Sequence, residues 1–191
     1  MNPKKKRIAV FASGEGSNFE AIAEACRRGE IPAEVVLLVC DRPGAKVMSR
    51  ARRLSIPAVE VAPAEFPTKE EYEKWVAAKL EEYNIDLICL AGYMRIVGPH
   101  LLALYDNRIL NIHPSLLPAY KGKDAIRRAF DNGEREYGVT VHFVDASLDG
   151  GKIIKQKKIP YSGSDYEELE RMVHEVEHKL FPEAICQVIE R

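Results

Sequence analysis

The sequence is short of cysteine and has no long apolar run, and each shortage excludes a class of protein. None of the four cysteines stands in a CxxC pair, which argues against a disulfide framework or a zinc site and predicts buried free thiols in a reducing, cytoplasmic compartment. No apolar stretch approaches the roughly 20 residues that a membrane helix needs, and a secretory signal is also missing. With 12 glycines and 11 prolines among 191 residues, collagen-like and low-complexity character is excluded.

An excess of charge of either sign is missing as well. The 28 lysine and arginine residues nearly balance the 29 aspartate and glutamate residues, and the net charge is −1. A nucleic-acid-binding surface would need a strongly basic face, so this balance argues against one. The 46% hydrophobic content is ordinary for a globular protein, and the length predicts a single domain over residues 1–191.

Short apolar runs alternate with amphipathic segments through the first two-thirds of the chain. The runs are at residues 8–12, 35–40, 58–61, 86–91 and 108–113. Continuous apolar runs are typical of strands buried on both faces, and strands that alternate with helices predict right-handed βαβ crossovers. Two later segments, on either side of Asp149-Gly150-Gly151, alternate as antiparallel strands do. The predicted fold is a Rossmann-like α/β domain with a mostly parallel twisted sheet, helices on both faces and an antiparallel hairpin near the C-terminal end.

A glycine-rich segment, Gly14-Glu15-Gly16-Ser17-Asn18, follows the first apolar run. Glycines let the backbone approach a ligand, and the free N–H groups at a helix N-terminus bind anions. The dinucleotide fingerprint GxGxxG lacks its third glycine here, because Phe19 takes that position, so a single phosphate fits better than a pyrophosphate. The alternative interpretation is a tight strand-to-helix turn with a serine or asparagine cap.

Asn111 and His113 stand two residues apart at the end of an apolar run. Strand side chains alternate, so both point to the same face of the sheet. The amide can donate to a developing oxyanion, and the imidazole can also donate and can move a proton near neutral pH. The pair therefore suits a reaction that builds an oxyanion, although a satisfied buried polar pair at a strand end has the same spacing.

Two loops allow both a structural and a functional interpretation. Asp149-Gly150 is a preferred hairpin turn, yet Asp149 could also face His113 and orient its ring. The apolar loop at residues 94–99 could line a pocket for a flat aromatic ligand, or simply pack as an ordinary loop with Arg95 in solvent.

The last predicted helix carries His174, Glu177 and His178 on one side. This spacing is a weak metal signal because no third ligand accompanies the histidines, and a polar helix face explains it as well. His142 lies inside a predicted strand, where a structural role is expected.

Five motifs occur in order along the chain. They are SGEGSN at 13–18, AGYMRIVGP at 91–99, NIHPSLLP at 111–118, LDGG at 148–151 and Glu177-His178. With these motifs the chain resembles the phosphoribosylglycinamide formyltransferases, a family of folate-dependent enzymes, over essentially its whole length. The resemblance implies transfer of the formyl group of 10-formyltetrahydrofolate to the amino group of glycinamide ribonucleotide in purine synthesis.

The resemblance also implies roles for individual residues. His113 matches the proton donor, Asn111 the residue that helps hold the formyl oxygen, and Asp149 the carboxylate that keeps His113 basic. The positions that match ribonucleotide contacts are Gly16, Ser17, Asn18 and Glu177. The positions that match folate contacts are Lys69, Met94, Arg95, Ile96, Val97 and Asn111. No metal is expected.

The same resemblance implies a cytoplasmic enzyme, a monomer or a homodimer, with two small-molecule substrates and neither nucleic acid nor membrane as partner. Two sibling enzymes share NIHPSLLP-like motifs: the methionyl-tRNA formyltransferase, with an added C-terminal domain, and the formyltetrahydrofolate hydrolase, with an added N-terminal domain. The length and charge of this chain are expected to exclude the tRNA formyltransferase. The position of the first predicted strand, near residue 7, is expected to exclude the hydrolase. A nucleotide-sensing module, the remaining alternative, would have no use for Asn111, His113 and Asp149 together.

Overall fold

The computed structural model describes residues 5–190, which form one seven-stranded sheet with helices around it. The strands are β1 (Lys6–Ala12), β2 (Ala33–Cys40), β3 (Ala58–Glu60), β4 (Leu87–Leu90), β5 (Ile109–His113), β6 (Glu136–Phe143) and β7 (Ile153–Pro160). The helices are α1 (Ser17–Arg27), α2 (Val47–Arg53), α3 (Lys69–Glu82), α4 (Pro99–Leu104), α5 (Ala125–Asp131) and α6 (Tyr166–Ile189), with a short 3₁₀ turn at Pro63–Glu65.

The spatial order of the strands is β3-β2-β1-β4-β5-β6-β7. Strands β1 to β5 pair in parallel, whereas β6 runs antiparallel to both β5 and β7. The predicted fold class, a mostly parallel sheet with an antiparallel hairpin near the C-terminal end, is confirmed. The order reverses beside β1, and such a switch point opens a crevice at the carboxyl ends of the strands.

Helices cover both faces of the sheet. This double burial explains why the apolar residues of β1 form a continuous run and do not alternate with polar ones. Ile8 and Val10 pack on the face that carries α1 and α6, and Phe11 packs on the opposite face, which carries α3 and α4. A strand that is buried on both sides needs an apolar residue at every position. None of the helices within residues 5–190 combines the length and apolarity that a bilayer crossing requires.

Three local features differ from the predictions. Helix α1 begins at Ser17 directly after Gly16, which ends the preceding turn in the left-handed region at φ 77°, so Gly16 and not Ser17 or Asn18 is the residue before the helix. Helix α4 was not predicted, since it is only six residues long and buries just Leu101. The connection between β6 and β7 spans residues 144–152, so Asp149 lies in a long loop and not in a two-residue hairpin turn.

Candidate active site

Most of the predicted site residues lie after β1 and β4, in the last part of β5 and in the loop at residues 144–152, whereas Lys69 begins α3 and Glu177 lies in α6. The carboxyl ends of parallel strands meet at one edge of a sheet, and ligands bind in the crevice beyond it. β6 runs antiparallel to β5 and ends beside the start of β5, at the opposite edge, but the loop after β6 folds back so that Asp149 reaches His113. The structure therefore brings Asn111, His113 and Asp149 together.

His113 is buried and has a polar group opposite each ring nitrogen. Its Nε2 lies 2.8 Å from the carbonyl oxygen of Tyr120, which can only accept, so Nε2 carries a proton. Its Nδ1 lies 3.5 Å from Asp149 Oδ2. When Nδ1 is also protonated it faces that carboxylate. The contact is longer than an ordinary N–H···O bond, so Nδ1 is the side from which a proton can move.

The conformation of its own backbone and a hydrogen bond from another backbone group fix the position of Asp149. Its φ of 45° is in the left-handed region, which aspartate tolerates better than most residues. Its Oδ2 accepts a hydrogen bond of 2.8 Å from the Gly122 N–H. Only 12% of the side chain is exposed, so the carboxylate is directed inward, toward His113.

Asn111 and His142 form a directly opposed pair across β5 and β6. Asn111 Nδ2 lies 3.2 Å from His142 Nε2, and His142 Nδ1 lies 2.7 Å from the carbonyl oxygen of Phe143. Burial lowers the pKa of His142 below its ordinary value, and the Phe143 and Asp149 oxygens offset this only in part. His142 is therefore neutral at pH 7 and borders the candidate site.

The glycine-rich segment forms a tight cradle at the start of α1. A Cβ on Gly16 would lie 2.4 Å from Val47 Cγ2, so the residue has no space for a side chain. Within the described part of the chain no side chain caps α1, so the alternative of a serine or asparagine cap is wrong. In a helix without a side-chain cap, the N–H groups of the first turn are available to an anion.

Glu177 links this cradle to the last helix. The residue is 5% exposed, and its Oε2 accepts from Asn18 Nδ2 at 3.0 Å and from His174 Nδ1 at 2.8 Å. The hydrogen bond to Glu177 raises the pKa of His174 above its ordinary value, and burial offsets this in part. Asn18 Oδ1 is buried and has no hydrogen-bond partner among residues 5–190. The arrangement places polar groups beside the N-terminus of α1.

The loop after β4 carries two exposed apolar side chains and is fixed from beneath. Met94 and Ile96 are about two-thirds exposed, whereas Val97 packs into the core. Ser13 Oγ accepts from the Met94 N–H at 2.9 Å and donates to Asp41 Oδ1 at 2.5 Å. Exposed apolar side chains on a fixed loop suit a flat apolar ligand.

Two basic residues lie in or near this loop. Arg95 Nε lies 2.6 Å from Asp41 Oδ2, so its guanidinium is tied to the end of β2 and is not simply in solvent. Lys69 lies at the start of α3, with Nζ 4.0 Å from Glu73 Oε1, and its side chain is 57% exposed. Glu73 in turn accepts from the Gly98 N–H at 2.5 Å, which connects α3 to the end of the loop.

Comparison with known proteins agrees with the geometry. A family model described as formyl transferase matches residues 6–185. The chain belongs to the formyl transferase family. The phosphoribosylglycinamide formyltransferase of Bacillus subtilis is 45% identical over 185 residues, covering 96% of this chain and 95% of the relative. The family predicted from the motifs is thereby confirmed.

Solved structures of formyl transferases have the same fold. The glycinamide ribonucleotide transformylase 1 of Geobacillus kaustophilus is 51% identical with a TM-score of 0.93, covering 96% of this chain and 98% of the other. The phosphoribosylglycinamide formyltransferase of Bacillus halodurans is 45% identical with a TM-score of 0.94, covering 97% and 96%.

Sequence reasoning overlooked two polar groups of this formyl transferase. His142 was interpreted as structural, although the alternation of β6 places it on the same face as Thr140, which opposes His113. Asp41, directly after β2, is buried and forms hydrogen bonds with Ser13 and Arg95. Pairing β6 with β5 in register would have found the first. The sequence offers no signal for the second, because its partners Ser13 and Arg95 lie in the loops after β1 and β4, far apart along the chain.

Proposed function

We propose that this formyl transferase transfers the formyl group of 10-formyltetrahydrofolate to the amino group of glycinamide ribonucleotide in purine synthesis. The names of the Bacillus subtilis and Geobacillus kaustophilus proteins support this substrate. The observation that carries the proposal is that Asn111, His113 and Asp149 lie together at one edge of the sheet. The cradle at Gly16 lies at the same edge, directly after β1.

The chemistry follows from the positions of these three side chains. Attack of the amine on the formyl carbon creates an oxyanion, and the Asn111 amide donates to it; one such donor accelerates a reaction about 10²–10³-fold. When the tetrahedral intermediate collapses, the bond between the formyl carbon and the folate nitrogen breaks. His113, protonated at Nδ1, gives that proton to the departing nitrogen, a step worth about 10²–10⁴-fold, and the proton that the attacking amine loses restores the protonated ring. Asp149, whose Oδ2 lies 3.5 Å from His113 Nδ1, keeps the ring oriented.

We assign the two substrates to separate parts of the crevice beside this trio. We assign the ribonucleotide phosphate to the N–H groups of Gly16, Ser17 and Asn18, because a helix N-terminus without a side-chain cap favours an anion. Glu177, held by Asn18, lies where it can accept from a ribose hydroxyl or from the amine. Bound side by side, the reactants gain chiefly from orientation.

The folate is assigned to the loop after β4. Met94 and Ile96 supply an exposed apolar surface, and Val97 packs in the core beneath it. Arg95 and Lys69 supply positive charge for the carboxylates at the other end of a folate. Asn111 touches the reacting end of this substrate.

The remaining parts of the proposal concern the whole chain. We infer a single formyltransferase domain over residues 1–191, of which the structure describes residues 5–190. The enzyme works in the cytoplasm as a monomer or a homodimer, on small molecules, with no nucleic acid, membrane or metal as partner.

A spectrophotometric assay with a 10-formyl folate tests the proposal. Product must form only when glycinamide ribonucleotide is present, and folate hydrolysis without it would show a hydrolase instead. His113→Ala should lower kcat about 10²–10⁴-fold while ribonucleotide binding, measured by calorimetry, persists. His100→Ala, on α4, is the matched control and should leave kcat unchanged. Unchanged turnover in His113→Ala refutes the catalytic assignment.

A further inference from the structure

His142 is a buried polar side chain to which the proposed reaction gives no task. It is 2% exposed and lies opposite Asn111 in the antiparallel register of β5 and β6. On its other side, the pairing of β6 with β7 shifts between Val141 and His142. Such irregularities often re-aim a side chain next to an active site.

The contacts of His142 determine which ring nitrogen carries the proton. The Phe143 carbonyl oxygen, 2.7 Å from Nδ1, can only accept, so Nδ1 donates. In the neutral ring Nε2 then has a lone pair and must accept. The group 3.2 Å from it is the amide of Asn111, which therefore presents its nitrogen and not its oxygen.

We propose that neutral His142 is a positioning residue, which holds the Asn111 amide so that its second N–H is free to donate to the formyl oxygen. Among residues 5–190, the amide makes no side-chain hydrogen bond other than the one to His142. Without the Nε2 lone pair the amide could turn over and present its oxygen, which repels an oxyanion. This inference rests on the proposed function and adds a specific orientation to it.

Protonation of His142 would reverse the arrangement. Nε2–H would then oppose the amide nitrogen, and the amide would turn to offer its oxygen. The charged groups that face the ring are Asp149, with Oδ1 3.8 Å from Nε2, and Asp145, both favouring the protonated ring, and His113, which opposes it. Burial outweighs the two carboxylates and lowers the pKa of His142, so the donor is in place at neutral pH.

Two neutral replacements separate positioning from packing. The terminal amide of glutamine reaches the position of Nε2 and can accept from Asn111, whereas that of asparagine reaches only the position of Nδ1 and can replace only the bond to Phe143. We expect His142→Gln to keep kcat within about threefold of the wild-type value. His142→Asn should lower kcat about 10–100-fold, and the upper figure is about the rate contribution of one hydrogen-bond donor to an oxyanion. KM for both substrates should change little. The proposal is wrong if a folded His142→Asn protein keeps the wild-type kcat. It is also wrong if the kcat of a folded His142→Gln protein is as low as that of His142→Asn.

A double-mutant cycle asks whether the loss acts through the amide. In an Asn111→Ala background, His142→Asn should cost no further kcat, because no amide remains to be oriented. The same fold-loss in both backgrounds would show that His142 acts elsewhere, and the proposal would be wrong.

Nitrogen NMR of the wild-type protein with ¹⁵N-labelled histidine gives a result that does not depend on activity. At neutral pH we expect His142 with a protonated Nδ1 and an unprotonated Nε2. A protonated Nε2 overturns the inference even if formyl transfer is intact. If the wild-type enzyme fails to formylate glycinamide ribonucleotide, the proposed function fails, while this spectrum still decides the tautomer of His142.

Discussion

Replacing Gly16 with alanine should destabilise the protein by two separable effects. The backbone at Gly16 has φ 77°, a left-handed conformation that disfavours residues with a Cβ by about 1–2 kcal/mol. The added Cβ would also lie 2.4 Å from Val47 Cγ2 and 3.0 Å from Val47 Cα. Because the Cα belongs to the backbone of α2, the overlap cannot be relieved by a change of rotamer alone.

The magnitude follows from adding these two effects. Overpacking of a filled site typically costs about 1–3 kcal/mol, so Gly16→Ala should lower the free energy of unfolding by about 2–5 kcal/mol in total. For a chain of this size each kcal/mol corresponds to about 2–4 °C, and Tm should fall by about 4–20 °C.

Two other glycines provide matched controls. Gly29 has φ 76°, and no atom of the described chain lies within 4 Å of the place that an added Cβ would take, so Gly29→Ala measures backbone strain alone, about 1–2 kcal/mol. Gly14 has neither a left-handed φ nor a close neighbour in residues 5–190, and Gly14→Ala should change stability by less than about 0.5 kcal/mol.

Urea unfolding and calorimetric melts of the three variants measure these differences. Gly16→Ala must be the least stable, and its KM for glycinamide ribonucleotide should rise because the phosphate cradle has to shift. A Gly16→Ala protein as stable as Gly29→Ala would refute the close packing of the cradle on α2, and with it the reason for glycine at this position.

Three further predictions concern groups beneath or beside the site. Ser13→Ala removes the hydroxyl that links the Met94 N–H to Asp41. It should lower the free energy of unfolding, measured in urea, by about 1–3 kcal/mol and raise KM for the folate. An unchanged stability would contradict the two hydrogen bonds of Ser13. The hydrogen bond to Glu177 raises the pKa of His174. The protonated ring therefore stabilises the fold fully below the ordinary histidine pKa, and this contribution disappears as pH rises through the raised value. In urea unfolding, the free energy of unfolding of the wild type should exceed that of His174→Gln by up to about 1 kcal/mol near pH 6, and the two should be equal near pH 9. Burial raises the pKa of the Cys26 thiol to about 11, so a chromogenic thiol reagent should modify it far more slowly in the native protein than in urea, and equal rates would refute its burial.

The parallel part of the fold could be predicted because its residues are constrained locally. Strands β1, β2 and β4 contain continuous buried apolar runs. The strand end at His113 follows from alternation along one chain segment. Helix α4 escaped prediction for the opposite reason, since six residues with one buried side chain show no periodicity.

The site was predictable only in its parts. Alternation within β5 placed Asn111 and His113 on one face, but two interpretations of Asp149 remained open until the loop at residues 144–152 was seen to turn it toward His113. The role of His142 depends on the register of β5 against β6, and a shift of one residue would move its ring to the other face of the sheet.

What the amino-acid sequence determined by itself is therefore the identity of the reactive groups, the strands and helices that carry them and, through its motifs, the family. Only the tertiary structure decided which of those groups meet: the carboxylate with the imidazole, the amide with the second histidine, and Asn18 with Glu177. The physical reason is that side-chain direction repeats within a single strand or helix, whereas contacts between distant segments depend on strand order, register and loop conformation, which packing of the whole chain selects.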